Sequence, residues 1–248
     1  MISTLQNLAG IGSKIVDTPS TSINFNANLP ICVEVLKKLD LGRYKLKLGR
    51  RELTTKSQKQ LKEGKKYWGN LSQGKGGILT ISNLCIQPET FQTYDTFLSQ
   101  EDANIIESTV LEKTNFKNFL LHQLSEASIS KEQFNIFSYM LLALHKGVFH
   151  LPFLFENKKT LLQFKYITTA QNEKSLLFYA AFENLGPLEG SIEKVHSQLV
   201  LNLHAIFEKS LFYLEKELNN WKILTKLSLK NEISPLYDTH DLILDLKG

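Results

Sequence analysis

Apolar and polar positions alternate with a period of two over most of residues 30–87. Ile31, Val33 and Val35 are separated by Cys32 and Glu34, and Tyr44, Leu46 and Leu48 alternate with Arg43, Lys45 and Lys47. A strand sends successive side chains to opposite faces, so each stretch predicts a strand with one buried face. Turn residues punctuate the pattern at Asp40-Leu41-Gly42, at Gly49, at Leu61–Gly64 and at Gly74-Lys75-Gly76-Gly77. Strands over 31–36, 43–48, 51–57, 65–71 and 78–85 predict a small twisted barrel of SH3-like or OB-like kind. Its expected core is Val33, Val35, Tyr44, Leu46, Leu48, Leu53, Ile78 and Ile81.

After Pro88 the period lengthens to that of a helix. Residues 89–99 and 101–126 predict helices, the second lined by Ile105, Ile106, Val110, Phe116, Phe119, Leu120 and Leu124. Ser130 is placed to cap a third helix, with Phe134, Phe137, Met140, Leu141 and Leu144 inward and Gly147 at its end. From Val148 the period returns to two. Strands are expected over 150–155, 160–168, 175–183, 191–195 and 198–203, with 156–159 as a hairpin turn. A helix over 205–220 follows, with Ile206, Leu211, Leu214 and Leu218 on its buried side, then a last strand over 223–229. Residues 1–28, rich in Ser, Thr and Asn, are expected to be loosely attached, and so is Tyr237–Gly248 within the acidic tail 233–248. The fold class is α+β. It has a small barrel (29–87), central helices (88–147) and a mixed C-terminal sheet carrying one amphipathic helix (148–232).

Charge divides the chain along the same lines. The net charge of +4 combines a segment 29–87 with 13 Lys and Arg against 4 Asp and Glu and a segment 88–248 with 15 against 20. Arg43, Lys45, Lys47, Arg50 and Arg51 form the expected basic surface. With Tyr44, Tyr67 and Trp68 close by, it raises nucleic-acid binding as an alternative. The two cysteines, Cys32 and Cys85, are too few for a disulfide framework and predict buried free thiols. The six histidines form no HxH or HExxH pair, and no GxSxG, Walker A or GxGxxG motif occurs. No catalytic residue, metal site or cofactor is therefore expected. No apolar run reaches membrane-spanning length, and the first residues lack the basic and apolar regions of a secretory signal.

Two stretches carry a family resemblance. From His150 to Lys230 come the strand L-P-F-L-F, an apolar strand over 176–182 and the element N-L-G-P-L-E-G-S-I. An alternating strand with Leu199, Leu201 and Leu203 follows, then a helix with Phe207, Leu211 and Leu214 in F-x-x-x-L-x-x-L spacing. Order and spacing resemble the C-terminal domain of the flagellar hook-length control proteins. Gly42, Arg43, Tyr44, Gly49, Leu53, Ser57, Leu61 and Gly64 stand where a small β module of hook-length-control-like proteins has its matching residues. The chain has 6 Pro in all and fills its middle with helix-patterned apolar residues, unlike the long polar stretch of a hook ruler. The resemblance implies a non-enzymatic assembly factor acting through protein contacts in flagellar type III export or its substrate switch. It implies an export-apparatus component as partner, and a cytoplasmic location or passage through the type III pathway. Asn184, Leu185, Gly186, Pro187, Leu188 and Glu189 match the family element and are the candidate partner-binding residues, although a turn orienting two strands needs the same Gly and Pro. An export chaperone using the apolar helices of 89–146, or a nucleic-acid-binding regulator using the basic barrel, are the alternatives.

Overall fold

The computed structural model describes residues 28–40, 42–73, 79–92, 97–99, 113–155, 157–168, 174–196, 198–221 and 223–238, with positions 102, 103 and 106. Residues 1–27, the Gly74–Gly77 turn, Ile78, Ile105, Val110, Glu156 and residues 239–248 lie outside them. The chain is mixed α+β, with two sheets. No helix among the described residues is long and apolar enough to cross a membrane.

The first sheet contains β1 (Ile31–Lys38), β2 (Arg43–Leu48), β3 (Arg51–Lys56), β4 (Lys66–Gln73) and β5 (Leu79–Ile86) in the order β3-β2-β1-β4-β5. All neighbours are antiparallel. The alternation places Ile31, Val33, Val35, Tyr44, Leu46 and Leu48 in one core with Leu61, Tyr67 and Leu71, and Leu53, Ile81 and Leu84 pack against it. The expected barrel is not closed, because β3 and β5 share no ladder. The β3–β4 connection covers the core instead. Leu61 is buried there, its N–H donates to Tyr44 Oη at 3.2 Å, and the N–H of Lys62 donates to Tyr67 Oη at 2.9 Å. Those bonds also satisfy the two core phenols.

The second sheet runs β11-β10-β9-β8-β7-β6, from β6 (Phe149–Phe155), β7 (Lys158–Thr168), β8 (Lys174–Phe182), β9 (Gly186–Val195), β10 (Gln198–Ala205) and β11 (Leu224–Leu229). Only β10 and β11 are parallel. Their connection is the crossover helix α4 (Glu208–Leu218), as a parallel pair requires. The Gly-Pro break expected between strands lies inside one: β9 begins at Gly186 rather than at 191. The expected 89–99 helix is also shorter. α1 covers Glu89–Gln92, and Leu98 instead bridges the edge strand β6, donating to Pro152 O and accepting from Leu154 N. Proline, which has no N–H to give, is tolerated on such an edge.

One face of this sheet holds Phe149, Leu151, Phe153, Phe155, Ala180, Phe182, Leu188, Leu201 and Leu203. It packs on α2 (Lys113–Ser125), α3 (Lys131–His145) and α4. Ser130 caps α3 in a full capping box with Gln133, and Gly147 follows its C-cap with φ +80°. Phe134, expected inward, is 46% exposed. At 3.6 residues per turn it lies about 120° around the helix from Met140, off the stripe of Ile136, Phe137, Met140 and Leu144.

The opposite face carries Leu161, Tyr179 and Ala181. It joins Trp68 of β4, Phe91 of α1, Phe97, Phe207 and Ile233 in a separate cluster between the sheets. Two-sided burial explains why β6 and β8 read as nearly continuous apolar runs. The tail expected to be loose from Tyr237 is held at that residue: Tyr237 is buried, as is Ile233 before it, and Leu236 packs against both of their clusters. On α4, Leu214 and Leu218 are core residues and Leu211 is partly buried; Ile206, expected on the same helix, precedes it and is partly buried against the cluster between the sheets. Leu214→Ala is expected to cost about 2–5 kcal/mol in urea denaturation, the range for emptying a buried leucine site. A loss below about 0.5 kcal/mol would mean that this face of α4 is not packed.

Candidate protein-binding surface

The six residues Asn184–Glu189 sit at the β8–β9 hairpin, where Phe182 pairs with Gly186 across a three-residue loop. Gly186 has φ +75°, and a Cβ there would lie 2.6 Å from the Phe207 ring. Leu185, Gly186, Pro187 and Leu188 are buried, while Asn184 and Glu189 are partly exposed. Ser210 Oγ on α4 donates to the buried Leu185 carbonyl at 2.7 Å. Glu189 pairs with Lys230 just beyond β11. The element therefore anchors α4 and the chain after β11 to the sheet. Of the six candidate residues, only Asn184 and Glu189 are partly exposed.

The basic residues of the first sheet are exposed as expected: Arg43, Lys45 and Lys47 on β2, then Arg50 and Arg51. Carboxylates are interspersed among them. Arg43 pairs with Asp40 at 2.6 Å, holding that carboxyl below its ordinary value through the hydrogen bond, and Lys45 pairs with Glu52 at 2.5 Å. Lys47 lies in register between Glu34 and Glu52. Tyr44, Tyr67 and Trp68 are buried and present no ring to a base.

The junction of the two sheets holds polar groups within an apolar shell. Lys159 is 3% exposed. Its ammonium donates to Phe91 O and lies 4.8 Å from the Phe91 ring centre. Burial, with Lys66 nearby, brings its pKa down to about 8. Cys32 and Cys85 are free thiols, both cross-strand neighbours of Trp68. Two strand spacings put their backbones roughly 9–10 Å apart, beyond the reach of a disulfide. Burial raises both thiols, Cys85 to about 11, the reverse of the depression that activates a nucleophile. Among the described residues, no three His, Cys, Asp or Glu side chains gather as metal ligands.

A different surface forms where α4 meets β11. A groove of about 360 Å³ is lined by Glu215, Leu218, Trp221, Ile223, Leu224 and Leu227. β11 is the outermost strand, so among the described residues one row of its backbone N–H and C=O groups has no neighbour in the sheet. Around it, Leu224 (55%), Leu229 (54%), Leu199 (48%) and Phe212 (60%) are exposed, a density of apolar side chains unusual for solvent-facing positions. Phe212, Trp221, Leu224, Leu227 and Leu229 were not singled out in the sequence. The available signal was Leu224-Thr-Lys-Leu-Ser-Leu229, whose leucines fall on both parities of the strand, so one face alone cannot hide them. No family model, curated protein or solved structure matches this chain.

Proposed function

We propose that this protein is a non-enzymatic flagellar assembly factor acting through protein contacts in type III export or its substrate switch. In this reading the unit β9–β10–α4–β11 makes the contact, and an extended segment of an export-apparatus component adds to the β11 edge. The observation that carries the binding mode is that open edge, flanked by the α4 groove and by exposed Leu224 and Leu229. Edge addition draws affinity from backbone hydrogen bonds and specificity from side chains entering the flanking pocket. The flagellar assignment is supported by the resemblance. Its N-L-G-P-L-E-G-S-I element and its Phe207–Leu214 helix motif fold into this same unit, as β9 and α4.

Leu224→Asp and Leu229→Asp are the informative variants, because both side chains are more than half exposed. Each is expected to keep its denaturation midpoint while losing capture of the export component from flagellated cells, and to fail to restore motility and hook length to a deletion strain. A deletion strain with normal hooks, filaments and swimming would remove the flagellar reading. Full rescue by both variants would remove the β11 edge from it.

A further inference from the structure

The α2–α3 hairpin leaves an apolar groove of about 440 Å³ between its helices, lined by Leu121, Leu141, Leu142 and Leu144. Leu121 and Leu142 are 45% and 42% exposed. The rim is basic: Lys117 stands one turn before Leu121, Lys113 one turn before that, and His145 one turn after Leu142. α2 contains no acidic residue, and the one acid of α3, Glu132, lies at the helix's other end. Mid-helix backbone groups are already paired within each helix, so the groove offers an extended chain nothing to bond. It calls for a helix with an apolar anchor and with carboxylates one turn away.

We propose that α4 of a second copy of this chain occupies it. The solvent-facing stripe of α4 runs through Glu208, Phe212 and Glu215. Phe212 is 60% exposed, more than any other large apolar side chain among the described residues. Glu208 and Glu215 stand one turn to either side of it, the spacing that separates Lys117 from Leu121 and His145 from Leu142. Phe212 seated between Leu121 and Leu142 would therefore bring a carboxylate opposite Lys117. Among the described residues, Lys113, Lys117, Glu208 and Glu215 make no ion pair within the chain. The Lys216 ammonium rests over the Phe212 ring at 4.2 Å, and its flexible stem can swing aside. Both patches stay exposed within one molecule, so neither covers the other. They lie on the same side of the second sheet, α3 against β6 at one edge and α4 against β10 and β11 at the other. A two-fold axis between them brings each copy's α4 onto the other's groove at once, so the contact closes as a dimer instead of growing into a fibre.

The test is sedimentation velocity of the full chain across a dilution series. The wild type is expected to pass from monomer to dimer as its concentration rises. Glu208→Lys/Glu215→Lys, and separately Lys113→Glu/Lys117→Glu, should each weaken the dimer by more than about tenfold, because like charges then face one another across both contacts. An equimolar mixture of the two variants should recover the dimer, since every basic surface then meets an acidic one, a result that a folding defect in either variant would not produce. Leu224→Asp, on the β11 edge, should dimerise as the wild type does. A wild type that stays monomeric throughout would overturn the proposal, and so would a mixture that stays monomeric or a dimer that survives in both charge variants. Loss of the dimer in Leu224→Asp would place the contact on the β11 edge and overturn it as well.

Discussion

Gly190→Ala is expected to destabilise the chain by more than about 4 kcal/mol. Gly190 lies in mid-strand, with Phe178 of β8 opposite on one side and Leu203 of β10 on the other. A Cβ at this position would lie 2.6 Å from the Phe178 ring, and closer still to the carbonyl oxygen of Asn202. A ring can rotate away, but the backbone oxygen is held by the ladder between β9 and β10. Relief therefore means separating the strands on which α4 and β11 depend. A loss of that size, drawn from a total of about 5–15 kcal/mol, would show as a large fall in the urea midpoint followed by far-ultraviolet dichroism. Gly186→Ala should be milder, since its obstacle is the Phe207 side chain, although its φ of +75° adds strain. A Gly190→Ala protein as stable as the wild type would mean that β9 and β10 do not approach as described.

The two glycines show where the sequence was legible and where it was not. The element N-L-G-P-L-E-G-S-I could be read as a break, because Gly and Pro mark turns. Gly186 does close a turn, whereas Gly190 lets strands and an aromatic ring approach, and composition does not distinguish those uses. Period-two alternation located β1, β2 and the core of the first sheet because one face is buried and the other charged. It could not decide whether the sheet closes, since closure depends on hydrogen bonds between two edges and leaves no mark on side-chain pattern. The stretch 233–238 has neither helical nor strand period, so its burial through Ile233, Leu236 and Tyr237 had no periodic signal to announce it. The α4–β11 surface was missed for a related reason. Exposed leucines on a strand look the same in sequence as buried ones.

Lowering the pH from about 6.5 to about 4 is expected to destabilise the wild-type protein through His150 by about 3 kcal/mol. The imidazole is 2% exposed, and burial brings its pKa down to about 4. Its surroundings oppose the proton for a second reason. Gln163 Oε1 accepts from the N–H of Tyr237, and Gln163 Nε2 donates to the Tyr237 carbonyl at 2.7 Å. That pairing fixes which end of the amide faces His150, so Nε2 presents a hydrogen to Nδ1 at 2.9 Å. Neutral His150 can accept there; protonated His150 would set donor against donor. Because the folded state binds the proton less readily than the unfolded chain, the stabilisation is complete above pH 6.5. It is lost progressively as pH falls toward 4. His150→Gln, which stays neutral and keeps an acceptor, should flatten this part of the stability curve whatever it costs at neutral pH. The comparison is between urea midpoints of wild type and variant across that range, with the Tyr237 amide followed by hydrogen exchange. Parallel curves would remove His150 as the cause. A steeper wild-type curve with early loss of Tyr237 protection would identify His150–Gln163–Tyr237 as the acid-sensitive fastening of the chain beyond β11.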